Sequence, residues 1–484
     1  AATGLYFRPL PVAKAWRNWD SSLHDLALVK RPTQQQMRSL DNGGDVVVDH
    51  LVGTSTTPDD VDIEGELKTL MVQDSDEACP SGSNGAAHDQ GDILPTSPGL
   101  EAKDKTGYFS FLKKLPSWPL KKNGSQKEEE IAKKLTAKIR SCRHALAHPD
   151  GGIKNVDFEG IRISRSVVSE IVKQVGKSIL TGKNLLAVTF PVRCCQPRTI
   201  LECAAYQFCF CSHFLGRAAA TADPVERLKL VTSCFVACLH TTNQFVKPFN
   251  PTLGETLQAH FPDGAKIFLE QTSHHPPVTS WNFVGPESKY TYYGWSTYSA
   301  CFGYNKLMVH QKGLRVCDFG GGNVIEVGFG WDRYNNVYWG EVVQEVLGEY
   351  HFRDVLHGLV CSIRLDPGSG LPSDAFMGTL MRVPPAGAAG DPELICSVDG
   401  SWLGFLDFDG VRYWDVNSDP GMAEPVFTPD PLLSDSRFRT DRNALAEGKV
   451  DLAQSEKTRI EEAQRRDRRL RAEWAKRCSA ETPI

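Results

Sequence analysis

Apolar side chains recur at the period of an α-helix in several parts of this chain. The clearest case is 164–180, where the positions from Val167 to Ile179 form one apolar face. Asp223-Pro224 marks the start of another helix, because Asp is a favoured N-cap and Pro fits the first turn. By pattern or by their content of strong helix formers, the further predicted helices are 128–147, 198–220, 224–241 and 441–477.

Between residues 258 and 414 the pattern changes to short runs rich in Val, Tyr, Phe, Trp and Thr, separated by Gly, Asn, Asp and Pro. Such runs predict strands, and their close spacing favours a large, mostly antiparallel sheet or barrel. The chain is therefore expected to be of the α+β class. The predicted strands are 265–269, 290–297, 307–310, 324–329, 337–342, 359–365 and 378–383.

Residues 1–155 have the composition of a largely disordered, low-complexity region. Asp, Gly, Ser, Thr and Pro are frequent in 41–100, which contains no aromatic residue and so offers little apolar surface to bury. The stretch 108–122 differs, because it combines aromatic side chains with four lysines. It is interpreted either as an interfacial membrane contact or as a short element that packs on the folded part.

Charge and cysteine content narrow the classes of function. The 484-residue chain has 54 basic and 59 acidic side chains, a net charge of -5, which argues against a surface built throughout for nucleic acid. Its 14 cysteines form no CxxC pair and are expected to be reduced, buried thiols. No segment approaches the roughly 18 to 20 apolar residues that span a bilayer, so any action on a membrane is expected to take place from the aqueous side.

The segment 247–258 contains the first candidate anion ligands. Its two prolines and Gly254 predict a fixed, tight turn. If the turn binds a ligand, Lys247 would bind an anion and Asn250 would donate a hydrogen bond. A purely structural turn is the alternative.

The segment 270–277, EQTSHHPP, contains the second candidate site. Its prolines favour extended backbone at His275, so His274 and His275 would face opposite ways unless the backbone turns. No third ligand stands at a zinc spacing, so a metal site is not favoured. The pair is interpreted either as structural or as hydrogen-bond donors to a phosphate group.

On the predicted C-terminal helix, Lys457, Glu461 and Arg465 are spaced by four residues and share one face. Such pairs are ordinary surface stabilisers worth a few tenths of a kcal/mol, and charge spacing alone favours that interpretation. A run of arginines exceeds what helix stability needs, and it indicates contact with an anionic surface unless it forms a solvated face. These residues are Arg465, Arg466, Arg468, Arg469 and Arg471.

Together these segments resemble the oxysterol-binding-protein-related family. The family fingerprint EQVSHHPP reads EQTSHHPP here, with Thr272 in place of Val. The family patterns DPxERL, KPFNPxLGET, SRxRxDR and KxRxEExQR match 223–228, 247–256, 436–442 and 457–465. The resemblance implies an incomplete antiparallel β-barrel enclosing a lipid tunnel, with a charged C-terminal helix. It places the lipid-binding domain at 156–484 and an N-terminal lid at about 166–187.

The resemblance also implies a function, the exchange of phosphatidylinositol 4-phosphate for a sterol or phosphatidylserine between membranes. No catalytic residue, metal or cofactor is implied, and a monomer is expected. The protein would be cytoplasmic and peripheral at anionic membrane surfaces, at contact sites of the endoplasmic reticulum, Golgi or plasma membrane. The residues matched to the phosphoinositide headgroup site are Lys247, Asn250, His274, His275, Lys457 and Arg465, with Glu461 orienting the cations.

The residues allow two alternative functions to be considered. In the first, the chain is a lipid-sensing scaffold at membrane contact sites with little bulk transfer, and its N-terminal region recruits partners. A phosphatase is suggested only by the Cys211-x5-Arg217 spacing. Phe214 and Leu215 stand where a phosphate-cradling loop needs small residues, and no GxSxG elbow occurs, so an enzyme is not expected.

Overall fold

Strands of a large antiparallel sheet make up most of the folded chain. The structure, a computed structural model, describes residues 126–175, 190–242, 245–368, 370–384, 390–417 and 422–481. In chain order the strands are β1 (Ile153–Lys154), β2 (Cys195–Thr199), β3 (Lys247–Phe249), β4 (Thr256–His260), β5 (Lys266–His274), β6 (Pro277–Val284), β7 (Thr291–Gly303), β8 (Lys306–Asp318), β9 (Val324–Val327), β10 (Trp331–Asn335), β11 (Val343–Asp354), β12 (Leu359–Leu365), β13 (Ala375–Arg382), β14 (Glu393–Ser401), β15 (Phe405–Phe408), β16 (Val411–Asp415) and β17 (Val426–Phe427).

The sheet follows one path, β16-β15-β14-β13-β12-β11-β10-β8-β7-β6-β5-β4-β17, with β1 and β9 attached to β11. All pairs within it are antiparallel, and in the described chain its end strands β16 and β17 do not pair with each other. The expected α+β class and large, incomplete antiparallel barrel are confirmed. A separate pair, β2 and β3, is parallel and lies beside the candidate site.

Helices pack on the sheet and contribute side chains to the hydrophobic core. The helices are α1 (Gln126–Ser141), α2 (Phe158–Val175), α3 (Ile200–Ala205), α4 (Cys211–Ala220), α5 (Pro224–Leu239), α6 (Thr440–Ala446) and α7 (Val450–Glu481). The Asp223 side chain caps α5 by accepting from the Val225 N–H at 2.9 Å, as predicted. From Leu228 onward almost every α5 side chain is buried, and α5 packs against β11, β12, β15 and β16. Among the described residues, no helix is both long and apolar enough to cross a bilayer.

Folded chain begins before residue 156. On α1, Leu135 and Ile139 are buried against Phe405 of β15. Arg143 forms an ion pair with the fully buried Asp374. Because these contacts join the segment to the sheet core, residues 126–155 fold with the rest of the chain, although composition groups them with the low-complexity region.

The predicted lid, about 166–187, lies only partly within the described residues. Its first part continues α2, on which Val167 and Val168 face the central cavity. The residues 176–189 lie outside the described chain, as do the predicted extended segment over most of 185–192 and the basic-aromatic stretch 108–122.

Three predicted elements differ from the structure. No strand forms at 337–342, because the Asn305 side chain binds the N–H groups of Tyr338 and Trp339 and holds the chain in a turn. The predicted helix 441–477 is two helices, since Gly448 adopts φ +74° between α6 and α7. The predicted helix 198–220 is divided into α3, a 3-10 turn at Tyr206–Phe208, and α4.

Candidate functional site

Lys247 and Asn250 stand together at the end of the small parallel sheet. Lys247 opens β3, where it is paired in register with Cys195 of β2. Its ammonium donates to the Asn250 Oδ1 at 3.2 Å and lies 6.0 Å from the ring centre of Phe190. The turn therefore holds both predicted anion ligands in one place.

A buried ionic network fixes this turn to the C-terminal part of the chain. Glu255 accepts from Arg439 at 3.1 Å and from the Ser436 hydroxyl at 2.6 Å. The same guanidinium donates to the Asn250 carbonyl at 2.7 Å and makes two hydrogen bonds with Asp441. Each buried charge thus has a partner, as such groups require, and the network sets the position of Asn250.

The fingerprint forms the corner between β5 and β6. The ladder ends at the pair His274–Pro277, so the backbone turns at His275-Pro276. The histidine rings consequently do not face opposite ways. Their centroids are 4.7 Å apart with the rings nearly perpendicular. Within the described chain, the buried His274 Nδ1 has no hydrogen-bond partner.

Thr272, the one departure from the family fingerprint, has a partner. Its hydroxyl lies 2.9 Å from that of the buried Ser280 on β6. The bond ties β5 to β6 two residues before the histidine pair. It explains how a hydroxyl is accommodated where the family has a methyl group.

The acidic and basic face of α7 meets the same region. The helix is docked by Ala453, which packs with Val192 and Phe249, and by the Gln454 side chain, which accepts from the Val192 N–H at 2.9 Å. On the face so placed, Lys457 forms an ion pair with Glu461, whose other oxygen lies 3.4 Å from Arg465. Lys457 is buried, which is unusual for an ordinary surface pair.

Charges on the turn, the histidine pair and the α7 face act on one another. Burial lowers the pKa of Lys247, with the charge of Lys457 acting in the same direction and that of Glu461 opposing it. Burial also lowers the pKa of His274, assisted by His275 and opposed by Glu461. Glu461 thus pairs with Lys457 and Arg465, and its charge acts on Lys247 and His274. Asn250 joins this group through its bond to Lys247, and His275 through its ring contact with His274.

Two basic residues near the site were missed by the sequence analysis. Arg439 contributes to the lowered pKa of His274, after burial and His275. Burial lowers the pKa of His275, and the charge of Arg468 on α7 adds to that effect. Arg468 was assigned only to a general anionic contact, and Arg439 only to a sequence pattern, because spacing does not show which distant segment faces a residue.

A cavity of about 440 Å³ opens beside this cluster. Lys247 and Asn250 belong to its lining, together with apolar side chains of α2, α5 and the sheet. A second polar group lines the cavity on β7, β8 and β10. There Gln311 donates to the Tyr298 hydroxyl at 2.8 Å and accepts from Arg315 at 2.9 Å, and burial raises the pKa of Asp332 to about 6. The cavity is therefore mainly apolar, with two polar regions.

Cys211 does not form a phosphatase site. It is buried at the start of α4, with its sulfur 3.8 Å from that of Cys234, and burial raises its pKa well above that of a free thiol. Arg217 instead lies near His213 on the helix surface. Cys211 is thus neither an accessible thiolate nor part of a phosphate-binding loop.

The chain is similar to known proteins over most of its folded residues. The sequence model of the family described as oxysterol-binding protein matches residues 171–418 and 427–481. Oxysterol-binding protein 9 of Dictyostelium discoideum is 32% identical over 358 residues, which cover 70% of this chain and 82% of that protein. Human oxysterol-binding protein-related protein 6 is 28% identical over 326 residues, and there the match covers 60% of this chain but only 33% of the relative.

Solved structures show the same fold at low sequence identity. The Osh1 ORD domain in complex with cholesterol has a TM-score of 0.54 and 22% identity, covering 72% of this chain and 90% of that one. The Osh3 ORD of Saccharomyces cerevisiae in complex with PI(4)P has a TM-score of 0.51 and 21% identity, covering 69% and 89%. With the family match over most of the folded residues, these results establish that the chain belongs to the oxysterol-binding protein family.

Proposed function

We propose that this protein is a non-enzymatic lipid-transfer protein that exchanges phosphatidylinositol 4-phosphate for a second lipid between membranes. The observation that supports this most strongly is a cluster of basic and imidazole side chains at one end of a mainly apolar cavity. The protein would work in the cytoplasm, peripheral at membrane contact sites.

The cluster has the chemistry that a phosphorylated headgroup requires. Lys247, Lys457 and Arg465 offer cationic donors, and each charge-assisted hydrogen bond contributes roughly 1.5 to 3 kcal/mol. The lowered pKa values of His274 and His275 favour neutral rings. A neutral ring still supplies one N–H donor, and an arriving phosphate would favour protonation.

The apolar cavity supplies the other half of the function. An acyl chain that crosses water loses roughly 0.8 kcal/mol of favourable burial for each CH₂ group, so transfer requires a closed apolar environment. No bond needs to be made or broken, and lipid gradients would set the direction of exchange.

The second polar region of the cavity supports a sterol as the second lipid. A hydroxyl at the inner end of a sterol could accept from Arg315 or Gln311 and donate to Asp332, so that no polar group would be buried unpaired. The structures named above contain cholesterol in the Osh1 domain and PI(4)P in the Osh3 domain. Phosphatidylserine is the alternative second lipid, and its larger headgroup would have to use the basic cluster.

Extraction from vesicles tests the proposed function. The double variant His274→Ala/His275→Ala is expected to lose extraction of phosphatidylinositol 4-phosphate, while circular dichroism and the thermal midpoint remain those of a folded protein. His260→Ala is the matched control, because this exposed histidine ends β4 opposite Lys266, at the end of β5 remote from His274. Unchanged extraction by the double variant would refute the headgroup assignment. Binding without transfer would indicate the lipid-sensing scaffold instead.

A further inference from the structure

The helix that contributes to the headgroup site continues beyond it. After Arg465, α7 runs on to Glu481, and every residue from 466 to 477 is exposed. At 1.5 Å of rise per residue, the last of these lies roughly 18 Å further along the helix than Arg465. We call residues 466–477 the α7 extension.

The α7 extension is strongly basic in a chain that is not. It contains six basic residues and two acidic ones, Asp467 and Glu473, for a net charge of +4, whereas the whole chain carries -5. Two acidic residues are too few to pair six cations in the i,i+4 manner of a solvated helix. The basic residues are Arg466, Arg468, Arg469, Arg471, Lys476 and Arg477.

Two large apolar side chains lie among these charges. Leu470 is 47% exposed and Trp474 is 59% exposed. Their spacing of four places them on one face, bordered by Arg466, Arg477 and Glu473 on one side and by Arg471 and Asp467 on the other, so that basic side chains outnumber acidic ones there. Arg468, whose charge acts on His275, projects from a different face of the helix. The apolar pair therefore points away from the headgroup site and the folded domain.

We propose that the α7 extension is a docking surface for an anionic bilayer. Leu470 and Trp474 would enter the headgroup region of the membrane, and the flanking basic side chains would contact lipid phosphates. Apolar and aromatic residues on one helix face, surrounded by Lys and Arg, are the composition of an interfacial helix. The same helix provides Lys457 and Arg465 on its opposite face, so in the proposed transfer function docking would hold the headgroup site near the membrane without covering it.

Co-sedimentation of the full chain with vesicles tests this inference. Vesicles of phosphatidylcholine with phosphatidylglycerol are compared with phosphatidylcholine alone, so that no phosphoinositide or sterol is present and loss of headgroup binding has no effect on the result. We expect binding only to the anionic vesicles, and weaker binding at high salt. Arg469→Glu/Arg471→Glu and, separately, Leu470→Ala/Trp474→Ala should each weaken binding at least about tenfold.

A charge-matched control separates docking from general attraction. Lys266→Glu/Lys289→Glu makes the same change in net charge at the far end of the β5–β6 pair, about 26 Å along β5 from His274. This variant should bind within about twofold of the unmodified protein. The inference is wrong if the control loses as much binding as the α7 variants. It is also wrong if those variants bind as well as the unmodified chain, a result that would assign docking to another segment such as 108–122.

Discussion

Replacing Lys457 by Met is expected to separate headgroup binding from every other property of the protein. Met keeps most of the length and apolar character of the Lys stem but removes the ammonium group. In the free protein Glu461 would keep Arg465 at 3.4 Å, so no acidic group loses its last partner. Because Met keeps the buried stem packed and Glu461 keeps Arg465 as a partner, the fold should persist.

The effect on binding can be estimated from the hydrogen bonds lost. A charge-assisted bond from Lys457 to a phosphate is worth roughly 1.5 to 3 kcal/mol. Because Lys457 already bonds to Glu461, part of this energy would be exchanged rather than gained on binding, which favours the lower end of that range. The affinity for phosphatidylinositol 4-phosphate should therefore fall about tenfold, while sterol binding should be unchanged.

Arg459→Met is the matched control for this prediction. Arg459 lies two residues further along the same helix and pairs with Glu456 at 2.6 Å, but its side chain is 63% exposed. Calorimetric titration with a short-chain phosphatidylinositol 4-phosphate should show a loss for Lys457→Met and none for Arg459→Met. Equal losses would mean that net charge, rather than a formed site, attracts the ligand. No loss in either variant would refute the role of the α7 face.

Three further predictions concern stability. The pKa of Asp332 is about 6 in the folded protein against 3.8 for an ordinary Asp, so folding favours its protonated form and stability falls as pH rises between these values. Asp332→Asn should remove this loss of stability with pH and raise the free energy of unfolding at pH 7 by up to about 3 kcal/mol. Urea denaturation across pH measures both quantities. A difference in unfolding free energy between the two proteins that does not depend on pH would contradict the assignment. Thr272→Val should cost about 0.5 to 1.5 kcal/mol by removing the bond to Ser280, without changing phosphoinositide affinity in the same titration. Arg143→Met should cost about 3 to 5 kcal/mol because it leaves the buried Asp374 charge unpaired, and adding Asp374→Asn should restore part of the loss in a double-mutant cycle.

Local chemistry made much of the fold predictable. The Asp223-Pro224 start of α5 was correct because capping depends on residues close in sequence. Most strands were placed, although often too short, since β7 and β8 continue through polar positions to 13 residues each. The false strand at 337–342 shows the limit, because the Asn305 side chain that prevents it is more than 30 residues away in the chain.

The sequence proposes the members of the candidate site, but it does not predict how they are arranged. The spacing of Lys457, Glu461 and Arg465 indicates a shared face but favours an ordinary surface stabiliser. Only the structure shows that Lys457 is buried and that the charge of Glu461 acts on Lys247 and His274. These charge interactions join segments about 200 residues apart in the chain, which no local pattern specifies.

Competition between two lipids is the most direct test of the account, because it requires one cavity to hold either ligand. The protein is loaded with a fluorescent sterol and mixed with vesicles that contain phosphatidylinositol 4-phosphate. The account predicts that the phosphoinositide displaces the sterol in a one-to-one ratio from the unmodified protein and fails to displace it from His274→Ala/His275→Ala. Simultaneous binding of both lipids, or displacement that does not depend on the histidine pair, would contradict the exchange mechanism.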